Sequence, residues 1–485
     1  MKKAFYITTT LPYVNAAPHI GFALEIVQAD VIARTKRQEG HEVVFNTGTD
    51  EHGLKIYQEA LEEKRDPQAY ADEYAPKFDR LRTALNLSYT NFIRTTDEHH
   101  AKAAQEFWER CAEHGDIEKR MYRVKYCVGC ELEKTDSELV DGKCPIHSNQ
   151  ELERIEEENY FFAFSRYQKK LLELYQGHPD FVVPESRLRE ITKFVEQGLA
   201  DFSISRLKAK MPWGIPVPGD NDHVIYVWFD ALVNYISTIG WPEDETRFGI
   251  FWPGIQVAGK DNLRQQSAMW QAMLMSAGLP PSRQIFIHGF ITSSGEKMSK
   301  SLGNVIDPIE LAQKYGTDAV RYYLLREIPA YEDGDFSYKK FEERYNADLA
   351  NGLGNFAARV LTLAEGCGEF ENTSDVSSEL TERINVARET IKGKLNEYKF
   401  HEAVAALWEL IAHGDKLVND AKPWTIKETE ERKHITYPLV VLLDNIAALL
   451  APFLPHTAEK IAKSITWSGN VLSVKKVEIL FPRLT

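Results

Sequence analysis

A chain of 485 residues, 43% hydrophobic and 27% charged, is long enough for two to four domains with buried cores. Its net charge of −14 argues against a nonspecific nucleic-acid coat protein, but leaves room for a defined RNA partner held by Lys and Arg grouped on one face. Five cysteines in such a length exclude a disulfide scaffold, and the start, MKKAFYITTT, has no apolar stretch of signal-peptide length. The most apolar run, residues 438–455, is interrupted by Asp444 and Asn445. It reads as a buried helix, so a cytoplasmic protein with no membrane partner is expected.

In chain order, residues 4–10 (AFYITTT) read as a buried strand. After the turn-rich LPYVNAAP a helix is predicted from about His19 to Arg34, because Ile20, Ala23, Leu24, Val27, Val31 and Ile32 recur at helical spacing. VVFNTGTD reads as a second strand ending in a Gly-containing loop. Strand, loop, helix, strand opens a parallel α/β domain, assigned here to residues 1–115. Residues 116–220 carry a cysteine cluster, mixed strands and helices and the Pro-rich MPWGIPVPGD, and read as an insertion. The α/β pattern resumes over 221–290 with VIYVWFDALV, FWPGIQVAGKD and RQIFIHGF. Residues 291–345 hold a cationic loop and a linking segment. Residues 346–485 read as a helical domain, with an exposed connector at 366–380 and a short terminal strand in VEILFPRL.

Four groups of residues carry chemistry. In PHIGF, Pro18 suits a first helical turn, and His19 with the Gly21 backbone would stand beside free N–H groups and a helix dipole that favour phosphate. In GEKMSKS, Lys297 and Lys300 are three apart in a Ser- and Gly-containing loop, suited to neutralising charge that builds on a triphosphate. In GKD, Gly259 and Asp261 end a strand where a carboxylate can hold a ribose hydroxyl pair, or N-cap a helix beginning near Asn262. Finally, Cys127-x2-Cys130 and Cys144-x2-His147 are two tight pairs separated by thirteen residues. That spacing suits one tetrahedral, structural Zn2+, whereas Cys111 and Cys367 read as buried thiols.

HIGF followed at this distance by KMSKS resembles the two signatures of the class I aminoacyl-tRNA synthetases. The resemblance implies a Rossmann-type parallel-sheet catalytic domain with ATP held by His19, Gly21, Gly259, Asp261, Lys297 and Lys300, and Mg2+ accompanying the ATP. His19, Gly21, Lys297 and Lys300 would serve catalysis by positioning and charge stabilisation rather than through a covalent intermediate. One position departs from the pattern: Phe22 stands where the signature usually ends in His.

Within the class, TTTLPYVNAAPHIG, TGTDEHG, YVWFDALVNY and the cysteine segment resemble the methionyl family with its zinc knuckle. That resemblance implies an amino-acid pocket of Leu11, Tyr13, Trp228, Ala231, Leu232 and Tyr235, with Asp50 on the substrate ammonium and Asn262 and Gln266 on one face of a helix beside it. It also implies a C-terminal all-α bundle in which Asn355, Arg359 and Trp424 read the CAU anticodon of tRNA(Met), by stacking and by bonds to base edges. The acceptor end of the tRNA would meet L-methionine and ATP at the catalytic domain. The competing readings are another class I synthetase or a non-catalytic, synthetase-like RNA-binding protein. Against the first, residues 116–220 are too short to hold an editing domain. The chain ends shortly after its helical part, so a monomer is expected.

Overall fold

Residues 5–9 run Phe, Tyr, Ile, Thr, Thr with every side chain buried, which requires cover on both faces of the strand and suits a central position in a parallel sheet. The computed structural model, which describes residues 2–130, 132–134, 138–293, 295–298, 304–371 and 376–484, places this strand, Ala4–Thr9, in the middle of six. The order is Asn91–Arg94, Glu42–Thr49, Ala4–Thr9, Ile255–Gly259, Gln284–His288, Val182–Val183. Ala4–Thr9 pairs parallel with both its neighbours, as do Glu42–Thr49 with Asn91–Arg94 and Gln284–His288 with Val182–Val183. The sixth strand comes from inside the segment read as an insertion.

The chain divides into two units. Met1–Pro18, Gly40–Arg80 and Tyr89–Ile287 make the first; His19–Glu39, Leu81–Ser88 and His288–Thr485 make the second. In the first unit, the parallel sheet is joined by a four-stranded sheet of Leu132–Lys134, Ile117–Cys127, Glu153–Phe162 and Phe202–Ser203, and by a three-stranded sheet of Pro216–Val217, Asp220–Ile225 and Ser205–Leu207. Its core is aromatic. Phe107 of helix Glu98–Glu113 lies 5.6 Å from Phe229, 5.8 Å from Trp241 and 5.5 Å from Trp270, ring centre to ring centre, within the range where such pairs attract.

The second unit holds helices Asn355–Glu365, Ser378–Asn396, Phe400–Ala421 and Thr429–Leu450, together with the N-terminal helix Ile20–Gln38. Helix Thr429–Leu450 is long and apolar enough to cross a membrane by composition, but half of that stretch is buried among its neighbours, as expected of a core helix. Helix Ile20–Gln38 is buried on every side from Ala23 to Ala33, so its polar residues need internal partners. Glu25 meets His288 at 3.0 Å. Asp30 accepts from the Ser88 backbone N–H at 2.7 Å and its hydroxyl at 2.6 Å, and pairs with Arg34 and with the fully buried Arg321, each at 2.8 Å. Arg321 also donates to the carbonyls of Leu85, Pro452 and Phe453, so its charge is well satisfied.

Several sequence expectations shift. The first helix begins at Ile20 and runs to Gln38, with Pro18 outside it and His19 as its N-cap. VIYVWFDALV is not one apolar run of the sheet: strand Asp220–Ile225 gives way to the short helix Val227–Ala231, on which Asp230 meets His52 and His100. The terminal VEILFPRL has no strand. Instead Ile465–Ser468 and Val471–Val474 form a hairpin that joins Phe370–Glu371 of the connector in a small sheet within the otherwise helical part. The two-residue turn between Ser468 and Val471 is Gly469–Asn470, a pair suited to a tight hairpin, and Gly469 takes a positive φ of 60°.

Removing one partner of a buried, hydrogen-bonded ion pair strands the other. Asp30→Asn is therefore expected to cost about 3–5 kcal/mol of unfolding free energy in urea; a loss below about 1 kcal/mol would overturn this account. Burial alone would raise the Asp30 pKa, but Arg321, Arg34 and Ser88 outweigh it and hold the carboxyl below its ordinary value. A depressed folded pKa contributes stability present above the unfolded value, so this contribution should be lost as pH falls below about 4.

Candidate active site

The end of strand Glu42–Thr49 is anchored by three consecutive residues. Asp50 continues the edge: its N–H donates to the Pro12 carbonyl at 2.9 Å, its carbonyl accepts from the Val14 N–H at 3.3 Å, and it bridges to Tyr13 in parallel register. Glu51, wholly buried, takes Arg94 in a two-pronged pair at 2.6 and 2.8 Å and accepts from Thr49 and Thr96. Such a fork fixes orientation as well as charge. His52 turns to the other side and meets Asp230 at 2.7 Å, with its ring edge-on to Trp213 at 5.3 Å. Trp213 in turn donates to the Glu51 carbonyl at 2.6 Å.

This places two sequence-predicted segments side by side. Asp50 lies two residues before His52; Trp228 and Ala231 flank Asp230 on helix Val227–Ala231. Leu11, Tyr13, Trp228 and Ala231 are half-buried, whereas Asp50, Leu232 and Tyr235 are buried. Tyr235 packs edge-on against Trp270 at 5.9 Å, and its hydroxyl accepts from the Gln266 amide at 2.7 Å. The Gln266 carbonyl accepts from Gln256 at 3.0 Å, so both ends of this buried amide bond protein groups. Asn262 does not share its surroundings. A 3-10 turn, Lys260–Asn262, and a π-helical stretch, Gln265–Met269, replace the expected regular helix, so a four-residue spacing no longer stacks the two side chains. Asn262 is half-exposed and bonds to Asp261 at 3.3 Å.

Buried Gly259 ends its strand and exposed Asp261 follows inside the 3-10 turn, not at a helix N-cap. Trp228, Lys260 and Asp261 line a cleft of about 410 Å³ together with Phe194, Gln265 and Met269.

In the second unit, the His19 ring N-caps its helix by accepting from the Gly21 N–H at 3.1 Å. Gly21 is demanded by that cap rather than by open backbone alone, since a Cβ there would come within 2.8–2.9 Å of the His19 ring. The same Cβ position lies 3.9 Å from the methyl of Met298, and the Ile20 N–H donates to the Ile306 carbonyl at 3.0 Å. The HIGF turn and the KMSKS segment are thus neighbours. Phe22 is half-buried in the first turn. Strand Glu296–Lys297 pairs antiparallel with Ile291–Ser293, which places the Lys297 backbone; Lys300 lies outside the described residues.

Farther along this unit, Asn355 is exposed one turn before Arg359 on the same helix. Arg359 is held by Asp415 at 2.8 Å and Asn419 at 2.7 Å, and its guanidinium lies 5.3 Å from the centre of the Trp424 ring. Trp424 is 53% exposed, which excludes a core role and presents an aromatic face to solvent.

Cys127, Cys130, Cys144 and His147 converge, with ligand atoms all within 4.8 Å of one another. The Sγ of Cys130 lies 3.5 Å from that of Cys144 and 3.2 Å from the Nδ1 of His147, and the Cys127 Sγ lies 3.8 Å from the same nitrogen. A tetrahedron with Zn–S of about 2.3 Å and Zn–N of about 2.0 Å has edges of roughly 3.5–3.8 Å, so the donor set and its spacing fit zinc. Gly129 makes the knuckle possible, because a Cβ there would lie 2.6 Å from the His147 ring.

Sequence reasoning overlooked Glu51, Arg94, His52, His100, Trp213 and Asp230. The available signal was a lone carboxylate inside an apolar run, VWFDALV, which must find a partner.

The chain matches the family described as "tRNA synthetases class I (M)" over residues 5–155 and 146–361, and that described as "Anticodon-binding domain of tRNA ligase" over residues 378–479. The methionine–tRNA ligase of Caldanaerobacter subterraneus is 41% identical over an alignment covering all of this chain and 79% of the relative; that of Nostoc sp. is 41% identical, covering 97% and 91%. The structure of Mycobacterium tuberculosis methionyl-tRNA synthetase in complex with methionyl-adenylate superposes with a TM-score of 0.92 at 38% identity, covering 100% of this chain and 99% of that one. The six-stranded parallel sheet, the paired signature segments and this full-length kinship together mean that the chain belongs to the methionyl family of class I tRNA synthetases, the methionine–tRNA ligases.

Proposed function

We propose that this chain performs its family's reaction with the residue assignments that follow. The methionine carboxylate attacks the α-phosphorus of ATP in line, a carboxylate–phosphorus bond forms, the bond to the bridging oxygen breaks, and pyrophosphate leaves with the electron pair. The terminal ribose hydroxyl of tRNA(Met) then attacks the acyl carbon of the adenylate; an ester bond forms, the acyl–oxygen bond to the phosphate breaks, AMP leaves with the electron pair, and the hydroxyl proton passes to the departing phosphate or to water. The approach of Gly21 to Met298 carries the reading, because it brings the two phosphate-handling segments together.

Asp50 takes the substrate ammonium. Leu11, Tyr13, Trp228, Ala231, Leu232 and Tyr235 shape the thioether pocket, with Asn262 and Gln266 supporting its rim and wall. His19 and the Gly21 backbone contact ATP, Gly259 and Asp261 hold its ribose, and Lys297 and Lys300 offset charge on its phosphates. Mg2+ arrives on those phosphates, which supply hard oxygen ligands. Asn355, Arg359 and Trp424 read the CAU anticodon; the exposed Trp424 face beside a braced guanidinium supports that role. Cys127, Cys130, Cys144 and His147 would hold Zn2+, which cross-links the knuckle and leaves no position for substrate. Cys111 and Cys367 are buried free thiols and the other three cysteines belong to the metal cluster, a usage that fits a reducing cytoplasm. The acting form is proposed to be a monomer.

Three outcomes test these assignments. Metal analysis should find one zinc per chain, and its removal by a chelator should loosen the knuckle while ATP binding persists; a metal-free, folded chain would refute the site. Trp424→Ala should raise the KM for tRNA by about 5–150-fold, the equivalent of about 1–3 kcal/mol for one lost stacking contact, with methionine-dependent pyrophosphate exchange unchanged. Equal damage to both reactions would remove Trp424 from the anticodon. Because Gln266 bonds Gln256 and Tyr235, Gln266→Ala should leave the ratio of kcat/KM for methionine over norleucine within about threefold of wild type, since a shape-selected pocket loses affinity for both together. Selective loss of methionine would mean that the amide reads sulfur.

A further inference from the structure

Asp230 is wholly buried between two histidines. Its Oδ2 lies 2.7 Å from His52 Nδ1 and its Oδ1 lies 2.8 Å from His100 Nε2, while His100 Nδ1 lies 3.0 Å from the Ser237 hydroxyl. Burial alone would raise the Asp230 pKa, but the two imidazoles outweigh it and hold the carboxyl below its ordinary value. An ionised Asp230 accepts from both rings, which fixes the His52 proton on Nδ1 and a His100 proton on Nε2.

The arrangement joins three stretches that are distant in sequence: the end of strand Glu42–Thr49, helix Glu98–Glu113 and helix Val227–Ala231. It costs desolvation of an acid in the most apolar part of the unit, where Phe107, Trp108 and Phe229 pack together. Apolar side chains of similar volume would serve stability as well or better, so the group is poorly explained as a stabiliser. What it does supply is direction. A carboxylate with two fixed donors permits one register between the segment carrying Asp50 and the segment carrying Trp228 and Ala231. Sliding the helix of Asp230 by a few tenths of an ångström disturbs both bonds, and sliding the segment of Asp50 and His52 disturbs the bond to His52.

We infer that His52, Asp230 and His100 are positioning residues for amino-acid activation, setting the separation between the ammonium-binding carboxylate and the side-chain wall of the pocket. The inference rests on the proposed roles of Asp50, Trp228 and Ala231. It concerns methionine, because the HIGF and KMSKS segments proposed to handle the phosphates of ATP belong to the second unit, and Gly259 and Asp261, proposed to hold its ribose, stand at the end of another strand, Ile255–Gly259.

The test uses donor geometry. Counted from Cβ, the amide nitrogen of Asn falls two bonds away, as His Nδ1 does, and that of Gln falls three bonds away, as Nε2 does. His52→Asn and His100→Gln therefore keep the bonds to Asp230, whereas His52→Leu and His100→Leu remove them. In methionine-dependent pyrophosphate exchange by the full chain, each Leu variant is expected to raise the KM for methionine at least tenfold, with the KM for ATP within twofold of wild type. The donor-keeping variants are expected to stay within threefold on both. Parallel rises for methionine and ATP, or a KM for methionine within threefold in the Leu variants, would overturn the inference. Should the Leu variants fail to fold, His52→Gln offers a donor one bond too far. It is expected to raise the KM for methionine at least tenfold where His52→Asn does not, and equal behaviour of the two would overturn the inference. Wild-type chain without methionine-dependent exchange would instead refute the functional proposal itself.

Discussion

A parallel sheet stops making backbone bonds at the carboxyl ends of its strands, and whatever stands there must be held by other means. At the end of strand Glu42–Thr49 that constraint is met by side chains. Glu51 is gripped by Arg94 on one side and His52 by Asp230 on the other, with backbone bonds from Pro12 and Val14 to Asp50 between them. The buried carboxylates at 51 and 230 are thereby fixed, the first by the half-buried Arg94 and the second by its two histidine donors. The aromatic core around Phe107 packs on Phe229, the neighbour of Asp230, and a site so poor in water strengthens the bonds of that buried carboxylate. Asp50 can then be an exact structural endpoint without being itself a bracing group.

The two units solve the same problem with different materials. In the first, polar residues at strand ends are tied across the sheet, as in the chain of bonds Thr8–Asn46–Asn234. In the second, a helix buried on all sides brings its own acids inward and meets Arg321 and His288 there. The surface chemistry of that unit is built in the opposite way: Arg359 is braced by Asp415 and Asn419 so that Trp424 beside it can stay exposed. A flat aromatic surface left in water is costly unless something covers it at work.

What was legible in the sequence followed local rules. The strands at 4–10 and 42–49, the first helix and the cysteine–histidine spacing each depend on residues close together in the chain, and periodicity or ligand chemistry finds them. The paired bracing of Glu51 and His52 was not legible, because each partner is tens to hundreds of residues away and nothing nearby encodes the pairing. Asn262 and Gln266 failed for another reason: a regular helix was assumed where the backbone passes from 3-10 to π, and helical arithmetic has no meaning across that change. The hairpin of Ile465–Ser468 and Val471–Val474 escaped because its strands are short and polar-faced, with a pattern too brief to set a period.

The second unit is assembled from pieces at both ends of the chain, and this bears on how it can be made. Helix Ile20–Gln38 leaves the ribosome early, yet Arg321, the counter-charge of Asp30, follows almost three hundred residues later. At roughly 5–20 residues per second, synthesis leaves that buried acid without its partner for about 15–60 seconds. During that interval a helix buried on every side from Ala23 to Ala33 in the finished fold, with Asp30 paired to Arg34 but not yet to Arg321, has no finished surface to join. Nascent chains halted before residue 321 should therefore be the ones that chaperones hold longest, and the early helix, not the late bundle, would be what they hold.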